Sequence, residues 1–223
     1  MVVSLNPKGT LAEQAYAAIK EAIINLDLGP GDAIVEDELA AQLGISKTPV
    51  RQALAQLEHE GLVVRIPYRA TYVAEIDPAD ARDLIELRSV LEAVATRSAM
   101  TGLSDEDFVE AEDLLDRYDT AVERNRLREA HELAERFHDL ILGRNSNRHV
   151  VPLLESLNAQ VRRLRALGGE HADRARRTGI EHRAILEAIR AGDGEGVERA
   201  VRTHHHAFVG HIEDGRVDRE AVS

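Results

Sequence analysis

The sequence predicts a mainly α chain: an N-terminal winged helix-turn-helix with a small β-hairpin wing, then an all-α bundle of about six helices. Three observations carry this. Apolar residues recur at helical spacing along most of the 223 residues. Aromatic residues make up only 3% and Trp is absent, so the core must come from Leu, Ile, Val and Ala, which favours packed helices over a large sheet. Strand-like text is confined to one stretch, residues 62–76.

Leu11, Ala15, Ala18, Ile19, Ala22, Ile23 and Leu26 share one helical face, with Thr10 placed to cap it. Pro30 and Gly31 in LGPGD stop that helix and turn the chain. EDELAAQL is a second, short helix ending at Gly44. Ser46 then caps a third, SKTPVRQALAQLEHE, whose Pro49 falls in the first turn where a missing N–H costs little, and Gly61 closes it. Leu62–Ile66 and Thr71–Ile76 are β-rich runs around a PYRA turn, a hairpin. The first domain is therefore 1–76. DPAD marks a linker at 77–81, with Pro78 breaking structure, and 82–223 is a helical domain broken at TGLSDED, Arg124–Arg128, GRNSN, LGGEHAD and AGDGEG.

Composition excludes several functions. Without cysteine there is no disulfide framework, thiolate zinc site or cysteine nucleophile. No run approaches the roughly 20 apolar residues of a spanning helix, and the N-terminus lacks a signal pattern, so the expectation is a cytoplasmic protein with no membrane partner. The formal charge of −12 argues against nucleic acid only if charge is spread evenly. Up to residue 75 there are six basic and ten acidic side chains, leaving 22 and 30 for the rest, so most of the acidic excess lies in the second domain. Four of the six basics, Lys47, Arg51, Arg65 and Arg69, fall on the face that the third helix and the wing would offer to a duplex. Ser46 and Thr48 hydroxyls and a helix N-terminus suit phosphate, and Lys47 and Arg51, four apart, suit guanine edges or the backbone.

GPGD, the DELA run, GISKTPVR and LEHEGLV, in this order and spacing, resemble the winged-helix domain of GntR-family bacterial transcription regulators. The resemblance implies that Ser46, Lys47, Thr48, Arg51 and the wing residues Arg65, Tyr68 and Arg69 approach double-stranded DNA. Two departures stand out. Tyr68 and Ala70 occupy a wing turn where the family often has Asn and Gly, and Asp37 stands where some relatives place an arginine.

In the second domain, polar groups ride on apolar stripes. Arg88 is one turn past Leu84 on the inward face, and a buried guanidinium needs an anion. His138 lies with Ala130, Ala134, Phe137 and Ile141, His182 with Ile185, Leu186 and Ile189, and His204 with Val197, Val201 and Phe208. Three helices each turn one imidazole inward, the makings of a divalent metal site. His131 and Glu135 are candidate fourth ligands from the helix of His138. His205 and His206 are expected in solvent, since one of three neighbours on a helix faces in.

RSVLEAVA, FHDLI, EHRAIL and the Asp193-to-His204 spacing resemble the all-helical FCD ligand-binding domain of FadR-type GntR regulators, in its shorter VanR-like branch. That resemblance implies a homodimer on a palindromic operator, a small organic acid as effector, and a zinc or nickel ion on His138, His182 and His204. The usual aspartate position is Ala134. Glu135 or His131 substitutes for it, or an effector carboxylate and water complete the shell, or the histidines bind an acid without metal. Arg88 is the expected carboxylate partner, with Arg165 second. Two rival readings remain: a metal-dependent hydrolase using the three histidines, and a regulator whose pocket is degenerate and metal-free.

Overall fold

The computed structural model describes residues 9–67, 70–75, 78–167 and 171–211. Its elements in chain order are α1 (Leu11–Ile24), β1 (Ala33–Ile34), α2 (Glu36–Leu43), α3 (Lys47–His59), β2 (Val63–Arg65), β3 (Thr71–Val73), α4 (Pro78–Ala99), α5 (Asp105–Glu123), α6 (Leu127–Leu142), α7 (Val150–Leu167), α8 (Ala172–Arg190) and α9 (Gly194–His211). Those up to Pro78, with Asn158–Leu167 of α7, make one compact unit, and Ala79–Leu157 with the described residues from 171 onward make the other.

In the first unit Thr10 and Glu13 form a reciprocal capping box at the start of α1. Gly44, at φ 67°, is the left-handed residue that ends α2 and turns the chain into α3. Ile19 and Ile23 of α1, Leu39 and Leu43 of α2, and Val50, Leu54 and Leu57 of α3 close on one core with Ile34, Leu62 and Val73. The wing is a three-stranded antiparallel sheet in the order β1-β3-β2, with Ala33 opposite Tyr72 and Val64 opposite the same residue on the other side. Strand β1 is not foreseen in the sequence: two residues carry no periodicity, and only pairing with β3 makes them a strand.

The α7 segment also belongs to this unit, although the chain order places it in the second domain. Ala159 enters the core, Gln160 Nε2 donates to the Glu60 carbonyl at 3.2 Å, and Arg163 Nη2 donates to the Ala74 carbonyl at 2.6 Å. Arg163 is 2% exposed, and burial pulls its guanidinium down to about 10.

The second unit packs α5, α6, α8 and α9 with the far half of α4 around Leu114, Leu115, Phe137, Ile185, Val197 and Val201. Helix α4 starts at Pro78, inside the stretch read as a linker: the proline takes the first helical position rather than breaking the chain. Ser104 and Asp107 form a capping box on α5, and the same Asp107 carboxylate accepts a fork from Arg144, at 2.9 and 2.7 Å. The Arg144 fork and the Ser104 N–H hold Asp107 well below the usual carboxylate range. Burial pushes Tyr118 up to about 12, and its hydroxyl donates to the Ala175 carbonyl at 2.7 Å, binding α5 to α8.

Candidate functional site

Two surfaces qualify, one in each unit. In the first, Ser46, Lys47, Thr48 and Arg51 stand exposed on the opening turns of α3. Ser46 has the extended backbone of an N-cap, but its side chain makes no capping bond, contrary to the sequence expectation. Lys47, Arg51 and Arg65 each face an acid. Lys47 Nζ is 2.5 Å from Asp37 Oδ1, Arg51 Nε is 2.6 Å from Glu36 Oε2, and Arg65 on β2 is 3.9 Å from Glu58. Tyr68 and Arg69, expected at the wing tip, lie outside the described residues.

In the second unit α6, α8 and α9 turn His138, His182 and His204 to one point. All three are buried, and one nitrogen from each lies within 4.8 Å of the others. The Nε2 atoms of His138 and His182 are 3.1 Å apart. Imidazole nitrogens about 2.0–2.1 Å from one zinc ion would stand roughly 3.0–3.4 Å from each other, so the His138–His182 spacing fits a shared ion.

The outer ring edges of His138 and His204 are braced. Glu92 Oε1 is 2.9 Å from His138 Nδ1, and Glu181 Oε2 is 2.8 Å from His204 Nδ1. A carboxylate only accepts, so both Nδ1 atoms carry the proton and both Nε2 atoms are left to act as ligands. Glu181 is held in turn by a two-pronged Arg174 contact at 2.8 and 3.0 Å. Because Glu92 sits on the Nδ1 edge of His138, it orients the ring rather than joining the ligand set.

Glu92 is the residue that sequence reading missed. Its side chain is 1% exposed, and besides His138 it takes Arg88 Nε at 3.1 Å and His205 Nε2 at 3.0 Å. Burial alone would raise its pKa, but His138, His205 and Arg88 together hold it well below the usual carboxylate range. The signal was present: Arg88, expected inside and in need of an anion, has Glu92 one turn on along the same face.

His205 is a correction. Expected in solvent, it is 1% exposed, because α9 is covered on two faces, toward α8 and toward Glu92 of α4; His206 is exposed as expected. His131 and Glu135 pair with each other at 3.4 Å, both partly exposed, and neither is in the group of converging ligand atoms. Seven residues of rise carry His131 about 10 Å along α6, too far from His138 to share its ion. Arg165 falls in the α7 segment that clusters with the first unit. Among the described residues no helix is long and apolar enough to cross a membrane.

Residues 11–73 match the family described as bacterial regulatory proteins, gntR family, and residues 83–207 match the FCD domain. The chain is 28% identical over 200 residues to the HTH-type transcriptional repressor RspR of Escherichia coli K12, covering 90% of this chain and 88% of that one. It is 31% identical over 213 residues to an HTH-type transcriptional regulator in an unstable DNA locus of Streptomyces ambofaciens, covering 89% and 83%. Among solved structures it is similar to E. coli McbR/YncC, with a TM-score of 0.79 at 23% identity over 93% of this chain and 99% of that one, a likeness of fold.

Proposed function

Because this chain belongs to the gntR family, carries an FCD domain, and is thus a DNA-binding transcription regulator and not an enzyme, we propose that its histidine cluster senses a small organic acid. The observation that carries this is the convergence of three buried imidazoles, two of which, His138 and His204, have their outer nitrogens fixed by Glu92 and Glu181. His138, His182 and His204 hold a divalent ion, zinc or nickel by the all-nitrogen donor set. Bound there, the ion supplies open positions for an effector carboxylate. Arg88 enters through Glu92, which already takes its Nε, and Ala134 leaves the shell without an aspartate, so water or the acid itself completes it.

On the other unit Ser46, Lys47, Thr48 and Arg51 enter the major groove, with Arg65, Tyr68 and Arg69 on the wing beside it. The protein acts in the cytoplasm as a homodimer on a palindromic operator, its two α3 helices about 34 Å apart. Leu87, Val90 and Val94, an exposed apolar row on α4, suit a second copy. Effector binding shifts operator affinity by its own difference in affinity for the two head placements. RspR is named a repressor, and the same sense of regulation is proposed here.

Elemental analysis of purified protein with gel shifts on DNA flanking its own coding region tests this. About one zinc or nickel per chain, lost in His182→Ala, and salt-sensitive binding to a palindrome are expected. Metal-free protein that binds no ion on titration would overturn the metal assignment, and absence of any palindrome binding would overturn the operator.

A further inference from the structure

The exposed face of α3 pairs its cations with acids of α2. Lys47 is paired with Asp37 and Arg51 with Glu36, but the two acids differ: the Glu36 side chain is 27% exposed, while that of Asp37 is 69% exposed, beside a Lys47 that is 48% exposed. An ion pair this open contributes little to stability. Its consequence falls on what the face can bind. A phosphate that takes Lys47 must displace Asp37 and then sit beside its carboxylate, so the favourable counterion release of non-specific binding is offset by like-charge repulsion.

A base pair presents a different target. In the major groove a G·C pair offers the guanine O6 and N7 acceptors next to the cytosine N4 amino donor, a donor and acceptor one hydrogen bond apart, about 2.9 Å. The Lys47 ammonium and Asp37 carboxylate, 2.5 Å apart, are the complementary couple. An A·T pair matches less well: thymine presents one acceptor crowded by its methyl group, so the ammonium loses the second acceptor it would bridge.

We propose that Asp37 is a specificity-determining residue: Asp37 and Lys47 read one G·C pair in each half-site as a unit, Lys47 donating to guanine and Asp37 accepting from cytosine N4, and Asp37 withholds Lys47 from phosphate on other sequences. This rests on α3 being the recognition helix. The full chain is used to select duplexes from a random library. Affinities of wild type, Asp37→Ala and Asp37→Asn are then measured by fluorescence anisotropy on the selected duplex, its single-pair variants and an unrelated duplex at several salt concentrations.

Wild type is expected to prefer G·C over A·T at one half-site position by about 10-fold. Asp37→Ala loses that preference, binds unrelated DNA several-fold more tightly, and steepens its salt slope by about one contact, roughly 0.9. Asp37→Asn keeps an acceptor, so it keeps part of the base preference while losing the masking. Asp37 is exposed, and all three proteins are expected to melt together. Equal fold-changes on selected and unrelated DNA, or no change in either variant, overturn the proposal. A wild type that selects no sequence overturns the assignment of α3 itself, and this proposal with it.

Discussion

Replacing Glu92 by Gln tests the most heavily engaged side chain in the bundle. One carboxylate there takes His138 Nδ1 from α6, His205 Nε2 from α9 and Arg88 Nε from α4, at 2.9, 3.0 and 3.1 Å. The amide keeps the shape but removes the charge and turns one acceptor into a donor, so at least one of the three donors then faces another N–H. Arg88, itself 5% exposed, loses the carboxylate that its Nε meets. Removing one partner of a buried ion pair costs about 3–5 kcal/mol. For a chain of this size that lowers Tm by roughly 6–20 °C. Thermal unfolding at pH 7, followed by circular dichroism at 222 nm, reads it directly. Arg88→Met in the Glu92→Gln background separates the two causes: if the lost Arg88–Glu92 ion pair dominates, the double variant recovers a large part of the loss. The variant also loosens the His138 ring, and zinc affinity falls about 10- to 100-fold. Glu92→Gln melting within about 2 °C of wild type would mean that Glu92 is not the buried counter-charge that holds α4, α6 and α9 together.

Three further outcomes are expected. Asp107 is stabilised as a carboxylate, so its contribution is fully present above the ordinary value of 3.8 and is lost as pH falls through its lowered value. Asp107→Asn therefore melts below wild type at pH 7, and the gap closes in acid; a gap independent of pH contradicts this. Arg163→Ala leaves the Ala74 carbonyl without its buried donor and costs about 1–3 kcal/mol in denaturant titration, whereas Arg163→Met, which fills the space without a charge to desolvate, costs less. Gly44 has nothing within 4 Å of an added Cβ, so Gly44→Ala costs about 1–2 kcal/mol through its φ of 67° alone, and Gly44→Asn costs less.

What was legible in the chain and what was not divides along a physical line. Periodicity and caps are local, so the α2 boundaries, the Thr10 cap, the Gly44 turn, the run of bundle helices and the three inward histidines could all be read from neighbours in sequence. Partnership is not local. Nothing along α7 says that Ala159, Gln160 and Arg163 serve the first unit while Leu154 of the same helix packs with Ala95 and Val150 in the second. His205 was assigned to solvent by counting one inward face per helix, a rule that fails where a helix is covered on two sides. Glu92 could have been found by asking which residue answers the buried arginine. In the head, charge counting found the right cations but not that Glu36, Asp37 and Glu58 stand against them, since that requires the folded approach of α2 to α3 and of β2 to the end of α3.

The proposed control of operator binding by the histidine cluster is open to one decisive measurement. Anisotropy titration of the selected operator at fixed salt, with zinc-loaded protein in the presence and absence of a panel of small mono- and dicarboxylic acids, tests it directly. For wild type, at least one acid is predicted to change operator affinity by 10-fold or more, corresponding to about 1.4 kcal/mol of coupling, and the change is predicted to vanish in His182→Ala while operator binding itself remains. An acid response that survives intact in His182→Ala would contradict it.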